Sequence, residues 1–70
     1  MEERHFGIIK TFDVFKGFGF IQRNKGKDVF FFYQEIESDD KILAEGDTVS
    51  FIIEQKPKGL RAYNIRKEAS

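Results

Sequence analysis

Few side chains in this chain can do covalent chemistry. It has one histidine, His5, and no cysteine, so thiolate nucleophiles, disulfides and cysteine-built metal clusters are excluded. Carboxylates are plentiful, but no Ser, His or Cys arrangement pairs a nucleophile with a base, and an enzyme is not expected. His5 sits in a polar setting near the terminus and reads as solvated. The chemistry these residues do support is non-covalent. Lys16-Gly17-Phe18-Gly19-Phe20-Ile21 sets two aromatic rings behind a lysine, and Val29-Phe30-Phe31-Phe32-Tyr33 follows closely. Residues two apart in a strand share a face. Phe18 and Phe20 therefore point one way, with Gly17 and Gly19 opposite them or at the margins. Flat rings beside a cation are the surface that single-stranded nucleic acid stacks on, at about 1–3 kcal/mol per base.

Short strands separated by turn signals must position these rings. Residues 6–13 are β-branched and aromatic and predict a first strand. Phe15-Lys16-Gly17 is a tight connection, and a second strand runs from Phe18 to Arg23. Asn24-Lys25-Gly26-Lys27 is a hairpin turn, since Asn and Gly accept positive φ cheaply. A third strand spans Asp28 to Tyr33. The acidic stretch from Gln34 to Asp47 predicts a long loop with at most one helical turn near Gln34–Ile36. Thr48–Glu54 alternates, with Val49, Phe51 and Ile53 on one face. Lys56-Pro57-Lys58-Gly59 breaks the chain before a last strand from Leu60 to Arg66.

Five short strands must protect their edges, and closing into a small barrel does so. Alternation assigns Ile9, Ile21, Val29, Phe31, Val49, Phe51, Ile53 and Ile65 to its core, with Ile36 and Leu43 in support. Phe18, Phe20, Phe30 and Phe32 fall on the opposite face. Four outward rings on two adjacent strands form an apolar patch that costs solubility and needs a reason.

Size and charge bound the answer further. Seventy residues make a single domain, 1–70, with its folded core at about 6–66 and little stability to spare. Met1-Glu2-Glu3-Arg4 lacks the build of a secretion signal, and no apolar run is long enough to span a membrane. A cytoplasmic protein is expected. Twelve basic and twelve acidic residues cancel, where a nucleic-acid binder is usually basic. Their distribution is uneven. Acidic residues dominate from Glu37 to Glu54, and basic residues dominate from Lys56 onward.

The two aromatic motifs resemble the ribonucleoprotein motifs of bacterial cold-shock proteins, the second of which is commonly Val-Phe-Val-His-Phe in that family. Gly7-Ile8-Ile9-Lys10, Glu45-Gly46-Asp47-Thr48-Val49-Ser50-Phe51 and the stretch from Gly59 to Ile65 extend the likeness over Phe6 to Arg66 in the family's order. The resemblance implies an all-β fold, a small five-stranded antiparallel closed barrel of OB type that reads single strands. It implies stacking by Phe18, Phe20 and Phe30, with Phe32 in the place of the family's histidine. Lys10 and Lys16 would lie beside phosphates. Phe12, the last residue of the family's Lys-Trp-Phe, would join the site, and Lys58 and Arg61 would add cations. Departures stand out. Thr11 replaces the tryptophan, Phe32 forfeits a polar edge, and the loop at Asp39-Asp40 is one residue short. Leu60 replaces a proline, and Tyr63 replaces a small residue whose direction alternation leaves open.

Two functions from different classes follow. One is a monomeric single-stranded RNA- and DNA-binding protein, acting without ATP or cofactor as an RNA chaperone or regulator. The other is a protein-interaction barrel that has kept the scaffold and lost strong nucleic-acid binding, as zero net charge and the missing tryptophan would allow. Only the first requires a steep dependence of binding on salt.

Overall fold

Alternating apolar side chains decide which face of each strand turns inward, and in this protein five strands wrap around that face. A computed structural model describes residues 3–37 and 42–68. Its elements are β1 (His5–Asp13), β2 (Phe18–Gln22), β3 (Val29–Phe32), a single 3-10 turn at Tyr33–Glu35, β4 (Thr48–Lys56) and β5 (Gly59–Lys67). The strands close in the order β1-β2-β3-β5-β4. The helical turn expected near Gln34–Ile36 is the 3-10 turn. Asp39 and Asp40 lie outside the described residues.

Four seams of the barrel are antiparallel: β1 with β2, β1 with β4, β2 with β3, and β4 with β5. The fifth corrects the expectation of an all-antiparallel sheet. β3 meets β5 in parallel at Phe30 and Arg61, and a further parallel bridge joins Ile36 to Ile65. The reason is topological. β4 crosses to the far side of β1 before β5 returns, so β5 closes on β3 running in the same direction.

The buried core holds Ile9, Ile21, Val29, Phe31, Ile36, Leu43, Val49, Phe51, Ala62 and Ile65. Ile53, expected among them, is only partly buried, and Ala62 takes a core place that its size did not announce. A slip in the β4–β5 register breaks the alternation of β5, whose Ala62 and Ile65 both turn inward. Ser50 pairs with Arg66 and Ile52 with Tyr63, so three steps on β5 match two on β4. Asn64 lies within the longer path at φ 51°, a conformation that Asn tolerates better than most residues.

A buried polar knot holds this bulge. Arg4 Nη2 donates to the carbonyl oxygens of Ser50 at 2.9 Å and Asn64 at 2.6 Å, and its Nε donates to Ser50 Oγ at 3.2 Å. Ser50 Oγ in turn donates to Glu68 Oε2 at 2.5 Å. Ser50 is the single fully buried polar side chain among the described residues, and the charged groups around it supply its partners. Replacing Arg4 by Met keeps the stem and removes the donors, leaving two carbonyls and a hydroxyl short of partners. Arg4→Met should destabilise the fold by about 1.5–3 kcal/mol, read as a lowered urea midpoint; an unchanged midpoint would show that the knot contributes nothing.

Candidate nucleic-acid interface

β2 and β3 are paired so that the outward rings lie directly opposite one another. Phe18 faces Phe32 and Phe20 faces Phe30, while the pairs Gly19–Phe31 and Ile21–Val29 turn inward. The outer rings touch as a cluster. Phe18 and Phe30 stack at 5.5 Å between centroids, Phe20 meets Phe30 edge-on at 5.6 Å, and Phe30 meets Phe32 edge-on at 4.8 Å. Such offset and edge-to-face contacts are the favourable ones for aromatic rings. Phe20 and Phe32 remain 36% and 37% exposed, so the cluster is a surface with faces still open, as the alternation of the sequence predicted.

Gly19 makes this arrangement possible. A Cβ at that position would fall on the carbonyl oxygen of Thr11 and within 2.8 Å of two ring atoms of Phe31. Without one, Phe31 lies directly under β2. The turn before β2 is fixed just as tightly. Lys16 N–H donates to Asp13 Oδ1 at 3.0 Å and Gly17 N–H to the Asp13 carbonyl at 2.8 Å. Gly17 has φ 75° and carries the Tyr33 ring against it, and the Tyr33 N–H donates to its carbonyl at 2.9 Å. The backbone of Lys16 is thereby held two residues before Phe18, with its side chain exposed.

β1 supplies the next edge. Between the pairs Ile9–Ile21 and Thr11–Phe20, β1 advances two residues against one on β2, which makes Lys10 the extra residue of a bulge. Lys10 Nζ pairs with Asp28 Oδ2 at 3.0 Å. Thr11 is exposed directly opposite Phe20, where a larger ring would extend the surface. Phe12 is not brought to the platform. It pairs with Gly19 and turns to the core side, stacked on Phe31 at 5.7 Å. The bulge at Lys10 sets that direction, and a local bulge has no clear mark in the residue types.

The other flank is built by β4 and β5. An open groove of about 700 Å³ is lined by Phe20, Phe30, Phe32, Lys58, Leu60 and Arg61, among others. The exposed Lys58 and the half-buried Arg61 therefore meet the rings here. Lys27, in the hairpin turn, shares an adjoining hollow with Phe20, Phe30 and Lys58. Tyr63 points outward and takes the Arg61 guanidinium at 5.1 Å from its ring centroid. Alternation alone left its direction open; with Ala62 buried, Arg61 and Tyr63 fall together on the outer face. Lys56 Nζ lies 3.0 Å from Glu54 Oε1 and 5.5 Å over the Tyr63 ring. Hydrogen bonding to Glu54, then to Tyr63, raises its pKa above the ordinary 10.5. The resulting stabilisation is complete below 10.5 and fades as pH rises through the raised value, so the groove keeps this cation throughout the neutral range.

Among the described residues no three His, Cys, Asp or Glu side chains gather as metal ligands. No helix there is long and apolar enough to cross a membrane.

Rings outside, a closed five-stranded barrel beneath them, and cations at the margin define a single-strand-binding class of β-barrel. Comparison with known proteins makes the assignment specific. Residues 5–68 match the family model of the 'Cold-shock' DNA-binding domain, and the chain belongs to that family. It is similar to cold shock protein CspC of Bacillus subtilis, with 48% identity over 62 residues, 87% of this chain and 94% of that relative. It is also similar to cold shock-like protein CspG of Shewanella violacea, 54% identical over 61 residues, 84% of this chain and 87% of that one. Among solved structures, drosophila Unr CSD456 superposes with a TM-score of 0.83 at 25% identity, covering 97% of this chain and 28% of that one.

The space under Gly19 is the most sensitive point of the site. Gly19→Ala should cost about 1–3 kcal/mol through overpacking, because backbone and a buried ring must both yield. Denaturant unfolding measures it, and a variant as stable as the parent would mean that β2 has room to spare.

Proposed function

We propose that this protein binds single-stranded RNA and DNA through the Phe18–Phe20–Phe30–Phe32 cluster and acts as an RNA chaperone or regulator without ATP. The observation that carries the reading is the cluster itself: mutually contacting rings turned outward on adjacent strands, when the same strands bury Ile21, Val29 and Phe31 behind them. Bases stack on the open faces of the rings, and every base has such a face. Lys16 and Lys58 meet phosphates, and Lys10 joins them by exchanging Asp28 for the ligand's backbone. Binding only the open strand shifts RNA away from weak secondary structure by mass action, so no chemical step is required. No catalytic group enters the mechanism, one copy of the barrel carries the whole platform, and transcripts in the cytoplasm are its ligands.

Titration with oligouridine and oligothymidine over a range of salt tests this reading. Phe20→Ala should weaken binding by about 1–3 kcal/mol with little change in unfolding, since the ring is partly exposed. Lys16→Gln should instead lower the slope of log affinity against log salt by about 0.7, one phosphate on a single strand. Absence of salt-dependent binding in the parent protein would overturn the proposal. Thr11→Trp should tighten binding by about the same 1–3 kcal/mol, because position 11 lies beside Phe20 and threonine offers no π-face. Fluorescence of the introduced indole would report the stacking directly, and unquenched emission at saturation would refute it.

A further inference from the structure

Arg61 does not sit in the groove as a loose surface cation. Its guanidinium carbon lies 4.3 Å from the centroid of Phe32 and 5.1 Å from that of Tyr63. Two aromatic neighbours fix the guanidinium, which a flexible lysine could not match. The Nε–H is buried and has no hydrogen-bond partner among the described residues. Its cross-strand neighbour, Glu54, pairs with Lys56 instead. In register, Arg61 lies beside Phe30 at the parallel seam. A base stacked at the Phe30–Phe32 end of the platform would therefore bring its edge toward the guanidinium.

A planar fork held in one orientation discriminates by its acceptors. Guanine offers O6 and N7 side by side, the pair that an arginine fork meets best. Adenine places an amino donor next to N7, and uracil and thymine set a donor between their carbonyls. Cytosine presents two neighbouring acceptors on a smaller ring, with less area to stack. We propose that Arg61, held between Phe32 and Tyr63, reads guanine at one base position of the bound strand, and so adds sequence selectivity to an otherwise sequence-tolerant platform. The inference rests on the proposed nucleic-acid binding and deepens it.

The test uses the full chain and a set of uridine heptamers in which a single guanine, adenine or cytosine is placed at each position in turn. Guanine at one position should raise affinity about 5- to 100-fold over the all-uridine parent, and by more than cytosine or adenine does. Arg61→Lys keeps the charge and loses the fork. It should abolish the guanine gain, read within the variant as the ratio of its affinity for the guanine heptamer to its affinity for the all-uridine heptamer, so that any general loss of binding cancels. Thermal melting without ligand establishes that the variant is folded. Equal affinity for all heptamers, a cytosine gain exceeding that of guanine, or a guanine gain surviving Arg61→Lys would overturn the assignment while leaving the binding function intact. A salt slope lowered by about 0.7 in Arg61→Gln without any base dependence would make Arg61 a phosphate contact and overturn it equally. If the parent protein binds none of the heptamers, the binding function itself falls, and guanine reading with it.

Discussion

The ring of Phe31 under Gly19 is the contact on which the rest of this protein depends. A strand has only two faces, and filling the inner one this closely leaves nowhere else for Phe18 and Phe20 to go. Phe12 stacks on the same ring from β1, so one buried side chain aligns three consecutive strands. The outward platform is the other side of this inner fit. Its rings are held at their spacing by a packed core, which is why a surface of flexible phenylalanines keeps a defined shape.

Net neutrality and anion binding are reconciled by where the charges are spent. Arg66 pairs with Glu37 at 2.6 Å and Lys67 with Asp47 at 3.5 Å, both away from the rings. Lys56 is matched by Glu54 at the edge of the groove. Lys16 and Lys58 take no ion pair among the described residues, and both border the aromatic surface. The acidic middle of the chain thus neutralises basic residues of the last strand that do not face the ligand. A sum over the sequence conceals this local imbalance, which is the quantity that steers a polyanion.

Much of the fold was legible because period-two alternation is a local signal. Ile21, Val29 and Phe31 against Phe18, Phe20, Phe30 and Phe32 needs only neighbouring residues and the geometry of a strand. The errors arise where the arrangement is non-local. The parallel seam follows from the route of β4 around β1, which no short window records. The bulge at Lys10 turns Phe12 inward, and the slip at Asn64 lets Ala62 and Ile65, three apart on β5, both face the core. Tyr63 could be oriented only once Ala62 was known to be buried. The Arg61 clamp draws on Phe32 and Tyr63 from two strands that meet at the closing seam. Resemblance supplied the family and its ligand class, and neither it nor the alternation revealed the contacts between β3 and β5 that hold Arg61.

The knot at Arg4 bridges the two ends of the described chain: its bond to the Asn64 carbonyl spans 60 positions. During synthesis β1, β2 and β3 emerge long before that partner exists. The unfinished meander then carries apolar side chains on both faces, the platform rings on one and Ile21, Val29 and Phe31 on the other. It has neither β4 nor β5 to seal its edges. Contacts this distant in sequence form last, and sheets left open on both faces are prone to stick to one another. The barrel therefore cannot close until β5 is available, and its exposure to aggregation is set by how quickly that strand follows β3.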